Sequence, residues 1–166
     1  MPRGVAGEKG ERMGRIGESQ LLHAIHSEII ARDAYATLSE MIQVADGKSA
    51  MQKLSSEEEK HRAALAKRYE LAVGHDYVYD PELKAGPDYS FLRKSVFGHT
   101  QAMEALRLAL GAEIDSVTFY TNQLGTTDDP DERRMLKELV KFEKAHQKRL
   151  QKEIRKLEKT NHWQLK

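Results

Sequence analysis

The chain has 166 residues, a formal net charge of +1 and no cysteine, with 39% hydrophobic and 32% charged residues. The missing cysteine excludes disulfides, iron–sulfur clusters and thiolate zinc sites, and the near-zero charge gives no field that would draw the chain to nucleic acid or a membrane surface. One domain with a sizeable core is expected at this length, and the absence of a bilayer-length apolar stretch or a hydrophobic signal core makes a cytoplasmic protein the expectation.

Residues 1–17 carry five glycines and few apolar side chains, and are expected to be a flexible lead-in. A first helix is expected from near Ser19 to about Val44, with Leu21, Leu22, Ile25, Ile29, Ala36 and Leu38 forming its apolar stripe. Asp46-Gly47 reads as a turn, although the repeat described below sets that loop at about 40–45. A second helix follows from about Ser49 to Val73, closed by Gly74. Residues 74–92 hold Gly74, Pro81, Gly86, Pro87 and three tyrosines, Tyr77, Tyr79 and Tyr89. So long a segment suits a crossover along a bundle, pinned by its tyrosines. The third helix is expected over about Phe91–Leu124, and the fourth from Pro130, capped by Asp129, to Thr160. Residues 161–166 read as a tail. The expected fold is all-α: one four-helix bundle over 18–160, made of two short-looped hairpins joined by a long crossover. That is the ferritin-like arrangement.

Two E-x-x-H motifs occur, Glu58 with His61 and Glu143 with His146. On a helix, residues three apart share a face, so each pair can grip one metal ion. The motifs are offset by 143 − 58 = 85 residues, and the same offset carries Glu28 onto Glu113 (28 + 85) and Tyr35 onto Tyr120 (35 + 85). Recurrence of four chemically distinctive positions in one register identifies the half-chains as two copies of one helical hairpin.

In the second hairpin Glu113 lies twelve residues before Gly125 and Glu143 thirteen after Pro130, so the two sit at similar heights. Pairing the hairpins about a pseudo-twofold axis then brings Glu28, Glu58, His61, Glu113, Glu143 and His146 to the bundle centre. Six such ligands suit two metal ions, and an oxygen-rich set with imidazoles favours iron or manganese, singly or mixed. Four buried carboxylates would repel one another strongly, whereas two divalent cations balance their charge. Tyr35 and Tyr120 lie two turns from Glu28 and Glu113, where each phenol could orient a ligand carboxylate on another helix or relay an electron. Plain core packing of the two rings stays open at this point. Ala31 and Ser116, one turn after Glu28 and Glu113, leave space for dioxygen or peroxide. Glu57 and Glu59 lack the spacing to His61 and are assigned to solvent or the rim of the site. His23, His26, His75, His99 and His162 have no repeat partners and are assigned structural or surface places.

On Glu28 with Tyr35, Glu58-x-x-His61, Glu113 with Tyr120, and Glu143-x-x-His146, the chain resembles the rubrerythrin family of ferritin-like di-iron proteins over about residues 19–160. The resemblance implies reduction of hydrogen peroxide or dioxygen at a non-haem di-iron centre, with Tyr35 and Tyr120 in catalytic support. Full-length rubrerythrins feed electrons through a cysteine-ligated rubredoxin domain. Without cysteine, this chain is expected to draw on an external donor such as a rubredoxin. An extra family glutamate one turn beyond Glu113 is replaced by Ser116, so the metal movement linked to that ligand does not carry over. Glu59 stands where the haem-binding methionine of bacterioferritins would be expected, so no haem is expected. A homo-oligomer, with a dimer as its expected form, completes this reading. Two others stand beside it: a ferritin-like ferroxidase that stores iron, and a helical interaction module that keeps metal for structure.

Overall fold

The computed structural model describes residues 16–83, 88–90 and 99–160. Four helices make up the fold: α1 (Glu18–Met41), α2 (Ala45–Val73), α3 (His99–Thr126) and α4 (Pro130–Thr160). α1 packs along α2 and α3 along α4, and α2 also touches α4, giving the all-α ferritin-like bundle. The expected lead-in up to residue 15, the Gly86-Pro87 part of the crossover, the first turns of the third helix from Phe91 and the tail at 161–166 lie outside the described residues.

The helix boundaries at the two hairpin loops follow the 85-residue register. α1 ends at Met41 and α3 at Thr126 (41 + 85), while α2 begins at Ala45 and α4 at Pro130 (45 + 85). The first loop is therefore 42–44, and Asp46-Gly47 is no turn: both residues lie in the first turn of α2, where the Asp46 carboxylate faces the positive end of the helix. The Lys48 amide already donates to the Val44 carbonyl at 2.9 Å, so the backbone is helical before the dipeptide's turn preference can act. At the other end of α2, Gly74 takes φ +88° and its amide donates to the Glu70 carbonyl. That left-handed geometry needs no Cβ and stops the helix.

The core is double. Leu38, Met51, Leu54, Leu106 and Leu150 belong to one apolar cluster, and Leu21, Leu65, Tyr69, Leu136 and Leu139 to the other. The repeat exchanges them: Leu106 answers Leu21, Leu136 answers Met51, Leu139 answers Leu54, and Leu150 answers Leu65, each 85 residues on. Every helix passes from one cluster to the other at about its middle. Since the first cluster takes the ends of α1 and α4 and the starts of α2 and α3, α1 runs parallel to α4 and antiparallel to α2 and α3. The crossover tyrosines divide accordingly. Tyr77 packs on one cluster and Tyr89 on the other, whereas Tyr79 stays 54% exposed and stacks on His26 at 5.2 Å.

Candidate metal centre

Between the two apolar clusters each helix contributes polar side chains to one small volume. α1 supplies Glu28, α2 Glu58 and His61, α3 Glu113, and α4 Glu143 and His146, all at most 4% exposed. All six expected ligands therefore meet at the bundle centre. One ligand-type atom each from Glu58, His61, Glu143 and His146 lies within 4.8 Å of the other three.

The arrangement has two halves. His61 Nδ1 lies 3.1 Å from Glu58 Oε2, 3.2 Å from Glu143 Oε1 and 3.6 Å from Glu28 Oε2. His146 Nδ1 lies 3.0 Å from Glu58 Oε1, 3.1 Å from Glu143 Oε2 and 3.6 Å from Glu113 Oε2. Glu58 and Glu143 thus each offer one oxygen to either imidazole, while Glu28 attends His61 alone and Glu113 attends His146 alone. The rings stack with centroids 5.3 Å apart.

The tyrosines close the pattern crosswise. Tyr35 Oη on α1 donates to Glu113 Oε1 on α3 at 2.6 Å, and Tyr120 Oη on α3 donates to Glu28 Oε1 on α1 at 2.5 Å. Each phenol is fully buried, and burial together with the neighbouring carboxylates raises both far above the ordinary tyrosine value. They remain protonated donors. Both rings also belong to the apolar clusters, Tyr35 to one and Tyr120 to the other, so core packing and the carboxylate bonds coexist.

Titration is strongly perturbed here. Burial pushes Glu58 well up and lifts Glu113 to about 7. Burial and the Glu28 charge push Glu143 up too, but the adjoining imidazoles leave it lowered. Burial alone would lower His61, yet Glu143, Glu28 and Glu58 raise it to about 12, and His146 rises likewise among Glu113, Glu143 and Glu58.

Protons do not satisfy this cluster. Glu58 Oε1, both oxygens of Glu143 and His146 Nδ1 are buried without a hydrogen-bond partner among the described residues. Their short contacts with one another lack hydrogen-bond direction. Buried polar atoms are normally paired, and orphans that converge on one volume call for a ligand bound by lone pairs. Carboxylates with imidazole suit a divalent first-row metal such as iron or manganese, so the donor set fits.

Glu59 is turned away, bound by Arg62 at 2.6 Å and Arg32 at 2.7 Å, and these partners hold its carboxyl at about 2. Glu57 lies at the rim, with its side chain 21% exposed. Its Oε2 accepts from His146 Nε2 at 3.0 Å and from Arg149 Nη1 at 2.7 Å, so it takes part in the site through an imidazole. The offset could not find it, because its repeat position is Phe142 (57 + 85). Among the unpaired histidines, His26 is buried and His23 and His75 are exposed, whereas the side chains of His99 and His162 lie outside the described residues.

The family model described as Rubrerythrin matches residues 20–154. A hypothetical protein from Pyrococcus furiosus is 28% identical with a TM-score of 0.76, covering 84% of this chain and 89% of its own. A protein from Thermotoga maritima, assigned as a ferritin-like diiron-carboxylate protein, is 23% identical with a TM-score of 0.68, covering 85% and 96%. The bacterioferritin-related protein of Bacteroides fragilis, a dodecameric thioferritin, shares the fold at 18% identity and a TM-score of 0.66, covering 89% and 92%. Comparison with curated protein sequences finds no match.

Proposed function

Since the chain belongs to the rubrerythrin family, we propose that it is a non-haem di-iron redox protein that reduces hydrogen peroxide or dioxygen with electrons from an external donor. The observation that carries this reading is the pair of carboxylates, Glu58 and Glu143, each placed with one oxygen toward either imidazole. Such a pair suits two metal positions side by side. One would be held by His61 and Glu28, the other by His146 and Glu113, with Glu58 and Glu143 common to both. Bound ferrous ions would supply two electrons, the number consumed when the peroxide O–O bond is cleaved and two protons are taken up to give two waters.

The residues around the site prepare it for that chemistry. Tyr35 and Tyr120 each fix one carboxylate oxygen, which sets the direction of the other. Their raised pKa values keep those phenolic protons in place at neutral pH. The apolar clusters above and below exclude bulk water from the bundle centre. Ala31 and Ser116, both half-buried, are short side chains one turn from Glu28 and Glu113, where the proposal places the small oxidant. A cysteine-free chain has no thiolate cluster of its own to relay electrons, so a separate donor protein such as a rubredoxin is part of the proposal. The proposal also has the protein working in the cytoplasm as a homo-oligomer, with a dimer as the expected form. No helix among the described residues is long and apolar enough to cross a membrane, which agrees with it.

Stopped-flow mixing of the anaerobic iron-loaded protein with peroxide or dioxygen tests the reading. Oxidation at the site should far outpace that of free ferrous ion in the same buffer. Glu58→Ala should abolish it by removing a ligand common to both positions, while Lys148→Ala, exposed on α4, should leave it unchanged. Loaded protein reacting no faster than free ferrous ion would leave metal a structural role only. Sizing separates the iron-storing alternative, which requires a large closed shell.

A further inference from the structure

The two halves of the centre are related by the repeat, yet their surroundings are not. His146 is braced from behind: its Nε2 donates to Glu57 Oε2 at 3.0 Å, and Arg149 Nη1 binds that same oxygen at 2.7 Å. The imidazole is 1% exposed and the Glu57 side chain 21%. A donor hydrogen bond at Nε2 aims Nδ1 at the cluster, where it offers its lone pair once its proton is displaced, and Nδ1 is buried without a hydrogen-bond partner among the described residues. Ring orientation is thus set by groups outside the ligand cluster.

At His61 no described residue supplies such a brace. The repeat positions of Glu57 and Arg149 are Phe142 (57 + 85) and Ala64 (149 − 85). Phe142 leans on the His61 ring at 5.3 Å and is 45% exposed, and Ala64 is exposed. No described residue hydrogen-bonds His61 Nε2. One half therefore has a carboxylate and a guanidinium behind its imidazole, and the other a solvent-facing phenyl ring.

We propose that Glu57 and Arg149 are positioning residues that make the two metal positions unequal, the His146 half taking metal first and more tightly, and the His61 half forming the exchangeable position beneath Phe142. The physical reason is preorganisation. A carboxylate behind a ligating imidazole fixes the ring and raises its basicity, and losing such a partner typically costs about 10–100-fold in metal affinity. The inference rests on the metal-centre reading above.

Each half can be isolated in the full-length, metal-free protein and titrated anaerobically with ferrous ion by calorimetry. His61→Ala keeps the braced half, and His146→Ala keeps the other. The braced half should bind about tenfold or more tightly than its partner. Adding Glu57→Gln should weaken binding by a similar factor in the His61→Ala background and change nothing in the His146→Ala background. A merely structural role would move both. The converse variant, Phe142→Glu with Ala64→Arg in the His146→Ala background, rebuilds the brace behind His61 and should tighten binding there, even where a loss-of-function variant folds poorly. Equal affinities in the two halves, or equal effects of Glu57→Gln in both backgrounds, would overturn the inference while leaving the metal centre intact. No binding by either half or by the unaltered protein would overturn both.

Discussion

At the scale of single residues, the crossed phenol–carboxylate bonds tie the centre together across helices. Tyr35 ties α1 to the α3 glutamate, and Tyr120 ties α3 to the α1 glutamate. Removing one hydroxyl leaves a buried carboxylate oxygen without its donor, which costs about 1–3 kcal/mol. Tyr35→Phe and Tyr120→Phe should each destabilise the metal-free protein by that order in chemical denaturation, while leaving its capacity for metal unchanged. Unaltered stability would show that solvent or another donor replaces the phenol. Eight of the residues at this centre were legible in the sequence because their chemistry is repeated: Glu, His and Tyr in one register could be matched across 85 positions. Glu57 was not, because its place in the second copy is Phe142. Its partners His146 and Arg149 lie about ninety residues away on another helix, beyond any spacing rule for one helix.

Among the elements, the two hairpins are alike in length and register but differ at their second helices. α4 opens on a built cap: Asp129 Oδ1 accepts the amides of Asp131 at 3.0 Å and Glu132 at 2.9 Å. α2 opens at Val44 with no side-chain cap. Asp129→Ala should cost about 1 kcal/mol in thermal or denaturant unfolding, whereas Val44→Ala should have no comparable capping effect. The cap was legible because Asp-Pro before a helix has few other uses. The start of α2 misled the local reading, since Asp46-Gly47 resembles a turn by composition. The repeat overrode it, for the matching positions, Asp131 and Glu132, lie in the first turn of α4. Gly74 was legible for the opposite reason, as its left-handed φ is a demand that glycine meets most readily.

For the molecule as a whole, the stability of the metal-free fold should depend on how this centre is protonated. In the metal-free fold Glu113 is raised from 4.5 to about 7 and His61 from 6.5 to about 12, so both favour their protonated forms. A group raised in this way stabilises the fold below its unfolded pKa, and that contribution is lost as pH rises through the folded value. Glu113 loses it between 4.5 and about 7, and His61 between 6.5 and about 12. Glu57 and Glu59, both held low, act in the opposite sense, in the acid range below 4.5. Metal-free protein should therefore melt higher near pH 5 than near pH 8. Metal must displace those same protons, so its stabilising effect should be largest near pH 8 and shrink toward pH 5. Calorimetric melting of both forms at the two pH values checks this, and equal melting with and without metal near pH 8 would contradict it.

The proposed function depends on the six side chains being metal ligands, and metal content tests that most directly. Protein purified without chelators and reloaded anaerobically with ferrous ion should hold about two irons per chain by elemental analysis. Glu58→Ala should fall well short of that. One tightly held zinc with no capacity for a second metal, or a Glu58→Ala protein that still binds the full complement, would contradict the account.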